Sequence, residues 1–357
     1  MARKSPYMMD ALVLYLGLIT YQSGSIQSAP LSSYLVSLFT HPDPDSNLPF
    51  NHIAINNITG DIYIGARERL YQLDAHLNLK QTVDTGVCSF PNSDRFNDNK
   101  LLITVITHHN YTLITCGGCG ANCQTRNLDD VSVMRELYLT EDVVAIGDLP
   151  TVGVVSPGVD LESDGNHRVS GSFYLFTGIS SRGRYTSFDF ISKHSLLNLQ
   201  SQQSIRGFFQ RESQSKFVHL ISYNDYLYYF ISRGEETYLG RICRNSQDED
   251  FESYTEIELQ CGHAGSQNII QSAYIGPTGS QLGEAMTFNT TNDLLYALFS
   301  STSSYICVYK MIDVQQSFED AILGCILGTG SGTENSFLES SYCNRVSHSD
   351  MMVMIDC

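Results

Sequence analysis

The sequence predicts an all-β chain, with a β-propeller as the favoured architecture. Short apolar runs of four to seven residues recur from Phe50 onward, with turn residues between them. Roughly fifteen or more such runs are present, against about seven to nine strands in a single sandwich. Nothing alternates with long amphipathic helices, as a parallel α/β sheet requires; only Val314 to Gly324 suits a helical turn or two. Many short strands divided by turns leave a sandwich, a barrel or a propeller, and the strand count favours the last. Trp is absent, which argues against blades of the WD type, and no exact repeat is present.

Taken in order, the chain opens with a secretory leader over residues 1–25. Arg3 and Lys4 give its positive start, Ala11 to Thr20 its apolar core, and Ser23 and Ser25 the small residues of a cleavage site. The core is shorter than the roughly 20 residues a membrane-spanning helix needs. A buried strand or helix is the alternative reading. Residues 26–49 form a Ser- and Pro-containing lead-in without a period. Ile53 and Ile55 alternate with Ala54 and Asn56, and Ile62 and Ile64 alternate with Tyr63. Leu70 and Leu73 follow a charged corner. This predicts three strands within Phe50 to Leu73, with Thr59-Gly60-Asp61 turning between the first two. Gly65-Ala66 permits close backbone approach. Further strands are expected at Leu101–Ile106 and Tyr111–Thr115, at Val152–Val155 and Ser172–Thr177, and at Phe217–Ser222, Tyr226–Ser232 and Tyr238–Cys243. Tyr254–Leu259, Ile269–Ile275, Leu294–Phe299 and Tyr305–Lys310 complete the set.

Composition narrows the function. A formal net charge of -17 makes a poor binder of nucleic acid or anionic membrane, because phosphate contacts need clustered Lys and Arg. The even count of 10 cysteines and three glycosylation sequons, at Asn57, Asn110 and Asn289, fit an oxidising extracellular setting. No stretch after the leader is long and apolar enough to span a bilayer, so the mature chain is expected to be soluble, or anchored by sequence beyond Cys357. Cys116, Cys119 and Cys123 have the C-x2-C-x3-C spacing of a zinc or iron–sulfur site, with His108 or His109 as a further ligand. Disulfides near a hairpin end are the competing reading, and the secretory leader favours them. No Gly-x-Ser-x-Gly elbow is present. His108-His109 reads as an exposed turn, and Glu235-Glu236 and Asp248-Glu249-Asp250 as solvated charges. Gly328 to Gly332 lacks the Lys-Ser/Thr end of a phosphate loop. No cofactor is expected.

Several segments are more specific. Phe50-Asn51-His52, Thr59-Gly60 with Ile62-Tyr63-Ile64-Gly65-Ala66, and Arg69-Leu70-Tyr71 with Leu73 resemble the opening of the sema domain in plexins, the cell-surface receptors for semaphorins. Leu113 through Cys116-Gly117 to Cys123, with Arg126, Leu128, Asp129 and Asp130, is similar to a plexin Cys-Gly…Cys segment. So are Tyr238 to Asn245, Phe251 to Ile257 with Leu259 and Cys261, Ile269 to Tyr274, Phe288-Asn289-Thr290, and Asp293 to Ser300 with Cys307. The resemblance runs over 50–357 and is looser across 140–235. It implies a sema-type β-propeller, seven-bladed in the family and here C-terminally truncated to roughly five blades. Phe50 to Asn56 would complete the last blade, and the next strands would begin the first. Cys357 matches a position well before the family's domain ends, so roughly two blades of about 40–50 residues each are expected beyond it. Without them, the faces of the first and last blades would lie open.

The resemblance also implies disulfides Cys116–Cys123, Cys243–Cys357, Cys261–Cys307 and Cys325–Cys343. It leaves Cys88 with Cys119, because the downstream partner that plexins use is missing from Ser89–Lys100. The implied function is the extracellular, semaphorin-binding head of a plexin-like receptor, acting in cell or axon guidance. Self-association through the same domain and a membrane anchor outside this chain are further implications, and nothing here corresponds to the family's intracellular GTPase-activating region. The implied docking loops correspond loosely to Arg182, Arg184 and Tyr185, to Phe208 and Phe209, and to Asn344 and Arg345. Arg206 and Arg211 enlarge the local basic patch. Phe208 and Phe209 also suit a core strand. The alternative from a different class is a secreted β-propeller enzyme, hydrolytic or glycoside-active, which would gather carboxylates or a metal in its channel.

Overall fold

A computed structural model describes residues 12–13, 38–40, 42, 49–85, 99–106, 111–117, 123–139, 143–145, 149–161, 167–180, 190–196, 204–208, 215–244, 253–262, 269–279, 282–283, 293–300 and 304–326. They fall into two compact units, Tyr15–Val144 and Met1–Leu14 with Ala145–Cys357. Strand β1 (Leu12–Val13) belongs to the latter.

The Tyr15–Val144 unit holds two antiparallel four-stranded meanders. The first is β2 (Phe50–Ile55), β3 (Ile62–Ala66), β4 (Arg69–Leu73) and β5 (Leu79–Asp84). The second is β6 (Asn99–Ile106), β7 (Tyr111–Gly117), β8 (Cys123–Asn127) and β9 (Met134–Leu139). Tyr63 and Leu70 of the first pack with Leu102, Leu113, Leu128 and Val131 of the second. Alternation sends Ile64, Tyr71 and Leu73 to the other face, where Phe39 and Leu77 cover them. Gly65 is required at the contact: a Cβ there would lie 2.5 Å from Leu102 Cδ1 and 2.8 Å from Asn99 Cβ. Asn99 Nδ2 also donates to the carbonyls of Ala66 and Arg69, at 2.8 Å each. The Tyr63 hydroxyl and Gln72 Nε2 both donate to Leu128 O, at 2.7 and 3.0 Å.

One expectation is corrected here. Phe50 to Asn56 does not complete a distant blade. β2 pairs with β3, Ile53 opposite Ile64 and Ile55 opposite Ile62, and is the first strand of the first sheet. The six residues between them, Asn56 to Asp61, form a short loop closed by the Asn56 N–H bonding to Asp61 O, which makes the two strands a hairpin.

The other unit holds three sheets. The first is β10 (Thr151–Leu161), β11 (His167–Ile179), β12 (Phe190–Ser195) and β13 (Ser204–Phe208). The second is β14 (Ser215–Tyr223), β15 (Tyr226–Arg233), β16 (Glu236–Cys243) and β17 (Thr255–Glu258). In the third, β18 (Ile269–Pro277), β19 (Asp293–Ser300) and β20 (Ser304–Lys310) are joined at the β20 edge by β1. Phe176 and Ile191 of the first sheet pack on Phe217 and Tyr229 of the second. The opposite face of the second, with Tyr228, Phe230 and Leu239, packs on Ile270, Leu295, Ala297 and Phe299 of the third. Glycine again sets the approach: a Cβ on Gly178 would meet the Phe217 ring at 2.6 Å, and one on Gly240 the Tyr254 hydroxyl at 2.6 Å. The far face of the third sheet carries Tyr274 (63% exposed), Leu298 and Ile306. β1 contributes only Leu12 opposite Val308 and Val13 opposite Cys307, from within the expected leader.

After β20 comes a helix longer than the turn or two expected. α1 (Met311–Ile326) runs for 16 residues. Met311, Val314, Phe318 and Ile322 are buried at spacings of three and four, which makes one apolar stripe. The Phe318 ring lies 6.1 Å from that of Tyr228, and the Arg241 guanidinium sits between Tyr226 and Phe318, 4.2 and 4.5 Å from their centres. Burial lowers the Arg241 pKa, and the two rings supply cation–π attraction in place of water.

The second sheet contains a buried ion pair. Arg233 donates from both terminal nitrogens to Glu256, at 2.6 and 2.5 Å, and from Nε to Ser215 Oγ at 2.9 Å. The Tyr254 hydroxyl donates to the same carboxylate. Glu256 is 0% exposed. Burial opposes the Arg233 charge, but the hydrogen bonds and charge of Glu256 outweigh it and hold its pKa above the ordinary value. Burial, then the Glu256 charge, pushes the Tyr254 hydroxyl well above its usual range, so it stays protonated and donates.

Glu256→Gln, which leaves Arg233 buried without its counter-charge, is expected to destabilise the fold by about 3–5 kcal/mol. The double change Arg233→Met with Glu256→Leu should cost less than the single one, as read from urea unfolding midpoints at constant m. A second expectation concerns pH. Burial lowers the pKa of His52 and of His219 below 6.5, and His52 Nδ1 accepts from the Leu102 N–H at 3.4 Å, which requires the neutral ring. The unfolded chain therefore binds more protons than the folded one near and below pH 6.5, and stability falls as the pH drops through that value. Melting temperatures should decline from pH 7.5 to about 5.5, and His52→Asn should flatten the dependence.

Candidate partner-binding site

The candidate surface is built by one end of the β10–β13 sheet. Thr151, Ile179 and Phe190 stand opposite one another in successive strands, and Phe190 stands opposite Phe208. β11 leaves the sheet at Ile179 and β12 returns at Phe190, so the connection that holds Arg182, Arg184 and Tyr185 starts and ends on this row. β13 runs toward the same end and exits at Phe208, next to Phe209 and Arg211. Of the seven expected contact residues, the register places only the backbone of Phe208, at the end of β13. Residues 181–189 and Phe209 lie outside the described residues, as do Asn344 and Arg345. Phe208 is the last residue of an edge strand, and Arg206, also in β13, stands opposite Ser192.

The cysteines are placed more fully. Cys116 and Cys123 are direct cross-strand partners on β7 and β8 and are joined by a disulfide, with 4.0 Å between their Cα atoms. Their sulfurs are therefore committed, and the three-thiolate metal set read from the C-x2-C-x3-C spacing does not form. Among the described residues no group of His, Cys, Asp and Glu is arranged to hold a metal. Cys261 is bonded to Cys307 across a separation of 46 residues; closing a loop of that length contributes about 4 kcal/mol in the chain-entropy model. Cys243 is disulfide-bonded too. Cys88, Cys119, Cys343 and Cys357, and the side chain of Cys325, lie outside the described residues, as do His108, His109, Asn110, Asn289, Asp248 to Asp250 and Gly328 to Gly332.

The arrangement nearest to hydrolase chemistry was not visible in the sequence. Ser192 Oγ lies 2.8 Å from His194 Nε2 and shares a 2.5 Å hydrogen bond with Thr177 Oγ1, all three side chains pointing to one face of the β10–β13 sheet. Strand alternation explains the pair, since residues two apart share a face. Ser192 is wholly buried, so this Oγ cannot meet a substrate. Glu235 and Glu236 are exposed at the β15–β16 hairpin, where Glu236 accepts from the Tyr238 hydroxyl at 2.6 Å. No described helix is long and apolar enough to cross a membrane.

Comparison with known proteins gives a consistent picture. No family model matches the chain. Plexin-A4 of Homo sapiens is 23% identical over 364 residues, covering 85% of this chain and 19% of that protein. Plexin-A2 of Mus musculus is 25% identical over 349 residues, covering 79% and 18%. The chain thus spans about a fifth of the length of these relatives. Among solved structures, the full extracellular region of Plexin A4 superposes with a TM-score of 0.59 at 20% identity, over 82% of this chain and 39% of that one. Drosophila Semaphorin 2a gives 0.56 at 13% identity, over 76% and 49%. The chain is similar to the plexin sema-domain region over most of its length, and its five four-stranded antiparallel sheets carry the sema-type β-propeller fold.

Peptide mapping of the secreted protein without reduction should recover Cys116 linked to Cys123 and Cys261 linked to Cys307. The same map is expected to link Cys243 with Cys357, Cys325 with Cys343 and Cys88 with Cys119. Alkylation of Cys116 or Cys123 in the native protein would contradict the framework.

Proposed function

We propose that the chain is the extracellular ligand-binding head of a plexin-like receptor and that its partner is a semaphorin. The observation that carries this is the joint likeness to plexins in sequence, over 85% of the chain for Plexin-A4, and in fold. The disulfides, together with the leader and sequons expected from the sequence, support a secreted chain or one displayed on the outer face of the plasma membrane. A protein that works by recognition rather than catalysis also accounts for the polar groups inside the sheets. Glu256 and Ser192 are spent on internal bonds and are closed to ligands.

Recognition is assigned to the end of the β10–β13 sheet, with Arg182, Arg184 and Tyr185 as principal contacts and Phe208 and Phe209 beside them. Asn344 and Arg345 form a second, smaller contact. Arg and aromatic side chains are the usual anchors of protein interfaces. In a chain of net charge -17, a local concentration of Arg also orients an acidic partner patch. Self-association through the same domain belongs to this reading and is accessible to light scattering.

Arg182→Glu with Arg184→Glu is expected to weaken binding to an immobilised semaphorin head by at least about tenfold, since anchors of this kind are each worth more than about 1 kcal/mol. The far-ultraviolet circular dichroism and melting temperature should not change. Unchanged affinity in surface plasmon resonance would move the contact elsewhere. No binding by the parent chain to any semaphorin head would overturn the assignment of the partner.

A further inference from the structure

The junction of the β10–β13 and β14–β17 sheets holds a cation that its surroundings satisfy poorly. β10 and β14 are the first strands of the two sheets. Ser156 of β10 meets Ser222 of β14 there, hydroxyl to hydroxyl, at 3.1 Å. Arg244 follows Cys243 directly at the end of β16. Its backbone N–H donates to Asp225 O at 2.8 Å, which fixes it beside the β14–β15 turn. Asn224 makes that turn possible by taking a left-handed φ of 51°. From this anchored backbone the Arg244 guanidinium reaches both serine hydroxyls, so one cation touches both sheets.

Every one of its side-chain contacts is long. Nη1 donates to Ser156 Oγ at 3.5 Å and to Ser222 Oγ at 3.4 Å, beyond the roughly 2.7–3.2 Å of an ordinary N–H···O bond. Nη2 lies 3.6 Å from Asp225 Oδ1, on a side chain that is 46% exposed. Nε is buried and has no hydrogen-bond partner among the described residues. Yet the Arg244 side chain is only 16% exposed. Burial lowers its pKa, and the Asp225 charge works against that shift without cancelling it. Arg233 in the same sheet shows the contrast, with two carboxylate bonds at 2.6 and 2.5 Å. A largely buried guanidinium with no carboxylate at contact distance draws in a counter-charge.

We infer that Arg244 and Ser222 bind a small inorganic anion of the chloride class at this junction. The hydroxyl pair is suited to it. Ser156 is 1% exposed, and its O–H donates to Ser222 Oγ, which leaves the Ser222 O–H free to turn to an anion. The guanidinium supplies further N–H donors and the charge. Asp225 is the one negative group beside the seat, and with the net charge of -17 it disfavours larger, doubly charged oxyanions. A bound anion ties β10 to β14 through Arg244 and steadies the β14–β15 turn. The Phe217 N–H, toward the start of β14, donates to Ser180 Oγ, just before the connection assigned to the protein partner. The anion seat lies toward the far end of the same strand, so it does not depend on the identity of that partner.

The test compares the full chain in sodium chloride and in sodium gluconate, whose anion is too bulky for the seat, at an equal ionic strength of about 0.15 M so that screening is the same. The melting temperature should be higher in chloride, by about 2 °C once chloride is tenfold above its dissociation constant, and the rise should saturate. The chloride-35 resonance should broaden in the presence of the protein, and bromide should reverse the broadening. Arg244→Met, which keeps the apolar stem, should abolish both effects. Ser222→Ala should weaken chloride binding by about tenfold while the circular dichroism stays that of the parent. A parent chain that melts alike in the two salts and leaves the resonance sharp overturns the inference. So does a chloride dependence that survives in Arg244→Met, since the ion would then sit elsewhere. If Arg244→Met does not fold, Ser222→Ala decides: unchanged chloride affinity in that variant removes the anion from this junction.

Discussion

A four-stranded antiparallel sheet whose two faces both carry large side chains is stable only if both faces are covered, and this constraint organises what the chain does with its apolar residues. The second sheet of the larger unit shows it most fully. One face, with Tyr229, Ile231 and Ile242, meets Phe176 and Ile191; the other, with Tyr228, Phe230 and Leu239, meets the third sheet. Neither face could be left bare, since a buried aromatic ring alone covers about 150–250 Å². Close stacking in turn demands places where one backbone can approach another's rings. Gly178 under Phe217 and Gly240 under Tyr254 provide them, and Gly65 does the same in the smaller unit beneath Leu102. Helix α1 extends the same logic: its stripe of Met311, Val314, Phe318 and Ile322 joins the cluster between the second and third sheets.

Polar groups inside such a stack need partners of their own. Arg233 and Glu256 satisfy each other with two hydrogen bonds, and Ser215 and Tyr254 take up what remains. Arg241 is treated differently, held between two rings rather than against a carboxylate. Thr177, Ser192 and His194 form a hydrogen-bonded row on a third pattern. The stack is therefore specific in its polar pairing as well as in its apolar fit, and these interior groups have no capacity left for chemistry on a ligand. That is consistent with a module whose function is carried by its loops.

Much of the fold was legible because the central strands are written in alternation. Ile62-Tyr63-Ile64, Tyr226 to Ser232 and Leu294 to Phe299 each carry bulky residues on both faces, and each is a strand. The strands that escaped notice are more polar. β5 reads Leu-Lys-Gln-Thr-Val-Asp and β8 Cys-Gln-Thr-Arg-Asn, so hydropathy gives them little signal although the ladder holds them. β9, β12 and β13 were missed as well, and two of these are edge strands. Helix α1 was underestimated because its stripe is only four residues wide and neither end carries a strong cap. The first strand was legible as a strand but was assigned to the wrong neighbour, since alternation says which face a residue takes and not which strand lies beside it. The contact loops are a different case. Arg182, Arg184 and Tyr185 follow no core pattern, and the pairing of Ile179, Phe190 and Phe208 fixes only where β11 ends, β12 begins and β13 ends.

The Arg233–Glu256 pair also bears on how a chain of this kind changes over generations. Plexin-A4 and Plexin-A2 are 23% and 25% identical to it over the aligned residues, so most aligned positions differ. These two are not free to change one at a time. Altering either alone strands a charge in an interior with no water to receive it. Selection would remove such an intermediate before a second change could repair it. The two positions should therefore be inherited as a unit, either both kept or both replaced, and Ser215 and Tyr254 should vary only in the lineages that have replaced them. A pair that contributes little net stability would then act as one of the slowest clocks in the sequence.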